Sequence, residues 1–301
     1  MSIRLELVLS ACLALGCSGA IDEPWGVEAN ADAEANADAN AGADADARAD
    51  ADAKADAGGW CPTDPSARPN EGLVEEAGSP GCPRGMVRVA TFCVDRFEAS
   101  IVIVEGTKES SWTPHYPPPS DKTYRAVSLR GAVPQGYVSG AQSKRACEAS
   151  GKRLCTNEEW LRACRGPSAT TYPYGDVRKP GVCNDARSTH PAASCFGTTA
   201  SWIYSELDWP GINQQPSTVD RTGENAGCVS AEGLYDMMGN LHEWIWDDPT
   251  AYADPLDAID FRGGFYADTK INGEGCLYRT KAHGFSHWDY STGFRCCADP
   301  T

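Results

Sequence analysis

Twelve cysteines beyond residue 60, two histidines four residues apart and an aspartate upstream of them are the side chains of this sequence richest in chemistry. Asp268, His283 and His287 have the composition of a two-histidine, one-carboxylate centre, which would hold a redox metal for oxidation of a protein or small-molecule substrate. Residues four apart share a face only on a helix, and Gly284 followed by Ser286-His-Trp-Asp-Tyr290 reads as loop. Hydrogen-bonding loop histidines are therefore the competing reading. The cysteines show no CxxC spacing of the kind that holds zinc, and the adjacent Cys296 and Cys297 are expected in two separate bridges. Trp112, Trp202, Trp209, Trp288 and Tyr290 either line a groove for a peptide or glycan or fill the core. Arg262, Arg279 and Arg295 either clamp an anion or pair with buried carboxylates. Neither a glycine-rich phosphate loop nor a nucleophile elbow is present.

The elements that must position these groups are sparse. Ser139 is a candidate N-cap for a helix through Lys144 and Cys147 that stops at Gly151. Thr156 and Glu159 form a capping box for a second helix, which carries Trp160, Leu161 and Cys164 and ends at Gly166-Pro167. Elsewhere Gly, Pro, Asn, Asp and aromatics are spread throughout, so long ordered loops stapled by disulfides are expected over residues 60–301. Twelve domain cysteines can form six bridges, and so many point to an oxidising, extracytoplasmic compartment.

Forty-two acidic against 26 basic residues leave a formal charge of −16, which argues against nucleic acid as a partner. Nine of those charges belong to residues 17–59, where eleven acids face only Arg48 and Lys54. From Ala29 to Ala57 every odd position is alanine, and with nothing branched or aromatic to bury this stretch is expected to be a disordered, solvated spacer. Such a tether holds a domain about 35 Å from its anchor. Leu5–Leu15 is too short to span a bilayer and reads as the core of a signal peptide over residues 1–16. Its end, Leu13-Ala-Leu-Gly-Cys17, resembles a bacterial lipobox, which implies acylation of Cys17 and, with Ser18 following, attachment to the outer membrane. Ordinary secretion after cleavage near Ala20 is the alternative.

Six segments, in order, resemble the sulfatase-modifying factor family, founded by the formylglycine-generating enzyme. They are Gly151-Lys-Arg-Leu-Cys-Thr-Asn-Glu-Glu-Trp160, Ala163-Cys-Arg-Gly166, Tyr172-Pro-Tyr-Gly175, Gly233-Leu-Tyr-Asp-Met-Met-Gly-Asn-Leu-His-Glu-Trp244, Arg262-Gly-Gly264 and Gly293-Phe-Arg-Cys296. The resemblance covers roughly residues 83–299 and implies an irregular, loop-rich α+β fold related to the C-type lectins. In the family, two cysteines shortly after Arg-Gly-Gly bind copper(I) and oxidise a sulfatase cysteine with molecular oxygen. By the same alignment those positions fall at Asp268 and near Ile271, so copper is not expected.

The resemblance also implies that Cys164 pairs with Cys276 and Cys147 with Cys296, which consumes the only thiol near the catalytic segment. Cys82 with Cys93 and Cys155 with Cys297 are expected next, while Cys61, Cys183, Cys195 and Cys228 stay open. A family calcium site maps onto Asp236, the carbonyls of Gly239 and Leu241, and Glu243, a set of hard oxygen donors suited to that ion. A second maps onto Asn184 and Asp185, with Asp208 or Asn213 completing it. His242, between two of these residues, is expected to point away and serve packing. The expectation that follows is a lipid-anchored, monomeric, calcium-stabilised binding or accessory module for a protein, peptide or glycan ligand, with residual catalysis left open by the sequence. A metal-dependent oxidase is the alternative.

Overall fold

A computed structural model describes residues 60–251, 258–281 and 283–301. The expected signal segment, Cys17 and the tether lie outside these residues. In chain order the described elements are β1 (Met86–Val89), β2 (Phe92–Asp95), β3 (Ala99–Glu105), β4 (Lys108–Ser111), β5 (Tyr124–Ser128), α1 (Gly140–Ala149), β6 (Arg153–Leu154), α2 (Asn157–Arg165) and α3 (Pro191–Phe196). After a long irregular stretch follow β7 (His242–Trp246), β8 (Ile259–Arg262), β9 (Arg279–Thr280), β10 (Thr292–Phe294) and β11 (Cys296–Ala298).

Both foreseen helices form, for the reasons the sequence suggests. The Ser139 hydroxyl accepts from the Gln142 amide and Gln142 reaches back, while Thr156 and Glu159 close the same reciprocal box on α2. Gly166 then takes φ +63, a value most side chains resist, and α2 ends there. α3 is six residues long, too short to show a helical period in sequence.

Three small sheets hold the loops. β11 lies between β2 and β6, so the end of the chain closes a sheet begun more than 200 positions earlier. β4-β3-β5 is antiparallel with β3 in the centre, and its charged edge strand β4 faces solvent. β10-β7-β8-β9 is mixed, with β10 parallel to β7 and Gly293 opposite Glu243. Trp244, Phe261 and Phe294 of this sheet pack with Ile101, Val138 and Cys147 in one core, while Trp160, Leu234, Met237 and Ile245 build a second.

Disulfides tie these pieces together. Cys147–Cys296 joins α1 to β11, Cys155–Cys297 joins β11 to the start of α2, and Cys164–Cys276 joins α2 to the loop before β9. Cys296 and Cys297 reach two partners because successive strand residues point to opposite faces. Cys82–Cys93 is also present, and the pairs left open in sequence are Cys61–Cys195 and Cys183–Cys228. Six bridges mark a domain that folds in an oxidising, extracytoplasmic compartment. Among the described residues no helix is long and apolar enough to cross a membrane.

Candidate functional site

Two clusters flank β7. On one side Glu243 of β7 meets Arg295, from the turn between β10 and β11. Glu243 Oε1 accepts from Arg295 Nη2 at 2.6 Å, and Oε2 accepts from Arg295 Nε at 2.7 Å and from Trp160 Nε1 at 2.5 Å. Arg295 is fully buried and also donates to the carbonyls of Asp95 and Tyr235. Of the three arginines weighed in sequence, none is a free anion clamp: Arg262 is bound to Asn157 and Arg279 to Asp260.

Two further buried carboxylates stand beside this pair. Glu98 accepts from Asn240 Nδ2 at 2.6 Å and from the Leu241 amide at 3.1 Å, and Asp236 accepts from the Gly223 amide at 2.7 Å. Burial, with the charges of Asp236 and Glu243, pushes Glu98 well above the usual carboxylate range. Burial raises Asp236 to about 7 against the pull of the Gly223 amide and Arg295. Asp236 and Asn240 sit at φ +57 and +59, and at Gly239 a Cβ would lie 2.2 Å from the Asn184 carbonyl. The turn from Asp236 to Leu241 is thus held in an unusual conformation by its surroundings. Burial and mutual repulsion thus favour the protonated forms of Glu98 and Asp236, and Glu243 is the carboxylate that balances the Arg295 guanidinium. The donor set fits a hard ion only with main-chain carbonyls included, since no group of three or more His, Cys, Asp or Glu among the described residues could hold a metal.

Of the residues assigned to a second calcium site, Asp185 keeps one buried carboxylate oxygen, Oδ1, without a hydrogen-bond partner. Asn184 donates to Thr218 O and Asn240 Oδ1, Asp185 is paired with Arg178, and Asp208 is exposed. Asn213 binds the Tyr290 carbonyl and accepts from Tyr266 OH.

On the other side of β7 lies the thiol position of the family. Asp268 stands there, its Oδ1 accepting from the amides of Lys270 and Ile271 and its Oδ2 from Tyr278 OH at 3.0 Å. Tyr278 OH meets His242 Nε2 at 3.3 Å, and His242 Nδ1 meets Ser291 Oγ at 3.3 Å. Ser291 Oγ donates to Asp289 Oδ1 at 2.7 Å, and Asp289 Oδ2 meets His287 Nε2 at 3.3 Å. Burial pushes Asp289 upward, but His287 and Ser291 outweigh it and hold the carboxyl at about 2. His283 lies face to face with His287, ring centroids 3.8 Å apart.

This geometry corrects the reading of Asp268, His283 and His287 as a metal centre. The histidine rings stack instead of converging, and Asp268 is spent on a turn and on Tyr278. Ile271, the second thiol position, is 65% exposed, and Cys276 is bonded to Cys164. All twelve cysteines among the described residues are disulfide-bonded. Of the aromatics, Trp209 and Tyr290 are core, Trp112 and Trp288 are half-buried, and Trp202 is exposed. Glu98, Tyr278, Asp289 and Ser291 were not singled out in sequence; as lone polar residues or an ordinary loop pair, they carry no spacing signal.

The sulfatase-modifying factor enzyme 1-like domain family matches residues 71–300, most of the chain. The chain belongs to that family. It is 30% identical over 177 residues to the formylglycine-generating enzyme of Mycobacterium tuberculosis, a match spanning 50% of this chain and 52% of that protein. Against the formylglycine-generating enzyme of Thermomonospora curvata it is 30% identical over 168 residues, 50% of each chain. It is also 29% identical over 137 residues to the inactive Cα-formylglycine-generating enzyme 2 of Bos taurus, 45% of this chain and 39% of that one. The matches therefore span about half the length of these relatives or less. Among solved structures, CarF aligns at TM-score 0.40 and 18% identity, covering 70% of this chain and 87% of that chain.

Proposed function

We propose that this protein is an extracytoplasmic, lipid-anchored binding or accessory module, built on a C-type-lectin-like variant of the formylglycine-generating-enzyme fold and not an oxidase. The observation that carries this reading is the fate of the thiols. Copper(I) chemistry needs soft thiolate ligands, one of them free to engage the substrate cysteine. Asp268 occupies the first position, an exposed isoleucine the second, and the neighbouring Cys276 is bonded. A carboxylate already accepting three hydrogen bonds does not substitute for a thiolate. Similarity to a mammalian relative named as inactive is in keeping with this.

Calcium belongs to the same proposal. Asp236 and the carbonyls of Gly239 and Leu241 would hold it, with Glu243 joining them only by giving up a bond to Arg295 or Trp160. Glu98 fixes the turn through Asn240 and the Leu241 amide. For a ligand, a surface cavity of about 390 Å³ is available between Arg165, Pro167, Pro173, Tyr174 and Val229, within the size range of small-molecule sites.

The test is an oxidation assay: the full chain, loaded with copper(I) in air, is offered a cysteine peptide and the product is analysed by mass. No formylglycine above the protein-free control is expected, and its appearance would return the oxidase reading. Separately, calcium added after chelation should raise the melting temperature by several degrees, and Asp236→Asn should abolish the rise. An unchanged melting temperature would remove calcium from the reading.

A further inference from the structure

The segment from His283 to Asp289 runs over the β7–β8 sheet and is fastened at two points. At its tip, Phe285 packs edge-on against Trp244, with centroids 5.8 Å apart, and lies 4.6 Å from the Trp246 ring. The seat exists because residue 140 is glycine: a Cβ there would sit 2.1 Å from the Phe285 ring. The Phe285 carbonyl also accepts from the Ala141 amide, tying the strap to the first turn of α1. At its base, His283 and His287 stack at 3.8 Å and 10°, above Phe261, and the His287 amide closes a turn onto the Gly284 carbonyl. His287 is pinned in turn by Asp289.

We propose that residues 283–289 form a pH-gated strap, held shut while His283 and His287 stack and released when both rings carry protons. Release withdraws Phe285 from Gly140 and uncovers the Trp244 and Trp246 rings it packs against. Like charges facing each other at 3.8 Å repel, and desolvation further disfavours the charged ring. Asp289 opposes this from the strap itself, by attracting His287. From the sheet beneath, His242 faces the pair, with Asp268 beyond Tyr278, and Asp260 is held by Arg279 with Lys281 and Arg262 near. From α1, Lys144 lies over Trp246. The imidazoles on the strap itself are His283 and His287.

The direction follows from linkage. Burial, then His287, lowers His283 from 6.5 to about 4 in the closed strap. An opened strap restores the ordinary value, so closure is fully favoured above about pH 6.5 and is lost as pH falls towards 4. For an exposed ring, allowing for solvent screening, closure should weaken about tenfold between pH 7 and 4.5.

Amide hydrogen exchange on the full chain, read by mass on peptides spanning 283–290 and 138–143 and expressed as protection relative to free peptide, tests this. Protection of both should fall about tenfold from pH 7 to 4.5 while peptides of β7 and β8 hold theirs. The H283Q/H287Q double variant should lose the pH dependence, and G140A should lose protection of 283–290 already at pH 7. Equal wild-type protection at the two pH values would overturn the proposal. So would a fall shared by the β7 and β8 peptides, persistence of the fall in the double variant, or an unaffected strap in G140A.

Discussion

The two sides of β7 are built on opposite principles. Around Glu243 and Arg295 every charge is buried and the central pair is joined by short bonds at 2.6 and 2.7 Å. Around His242 the partners meet at 3.3 Å and the line of contacts runs out to the half-buried His287. The difference teaches where this domain keeps rigidity and where it keeps freedom. A buried ion pair leaves no alternative arrangement, because breaking it strands a charge in low dielectric. At the solvent end of that line, the long His287–Asp289 bond has water as a competitor and costs little to exchange.

The largest effect should come from the rigid side. Arg295→Met leaves three buried carboxylates without their guanidinium and should cost about 3–5 kcal/mol in urea unfolding. Adding Glu243→Met should recover part of that loss. A double variant no better than the single would mean that the pair matters for packing rather than charge.

Cutting the bridge that fastens the loop before β9, as C164S/C276S, opens a closure of 112 residues and should cost about 4 kcal/mol by the same measurement. A much smaller cost would mean that the segment around Asp268 is held by its hydrogen bonds.

Asp289→Asn probes the freer side. The carboxyl is held at about 2 against an ordinary 3.8, so its contribution is present above about pH 4 and disappears as pH falls towards 2. The variant should be about 2 kcal/mol less stable at neutral pH and should show a flatter acid limb in the stability profile. An unchanged acid limb would place the acid sensitivity elsewhere.

Smallest is Thr156→Ala, which removes one cap from α2 and should cost about 1 kcal/mol, read as a shift in the unfolding midpoint. A larger loss would show that α2 depends on its cap more than on Trp160 and Cys164.

The sequence alone determined what rests on local chemistry or on ordered motifs. Ser139, Thr156 and Glu159 start helices because their side chains satisfy amides within three residues. The six motif segments define the family, and the residues at the thiol positions are read directly from the chain. Tertiary structure alone decided those contacts between distant residues that no family motif carries. Cys61 meets Cys195 across 134 positions, and Glu98 reaches Asn240 across 142. No spacing rule encodes such contacts, since their partners are set by how the sheets pack. The histidines make the same point: four residues apart suggests a shared ligand, yet in an irregular loop the rings stack, because only a helix turns i and i+4 toward a common point.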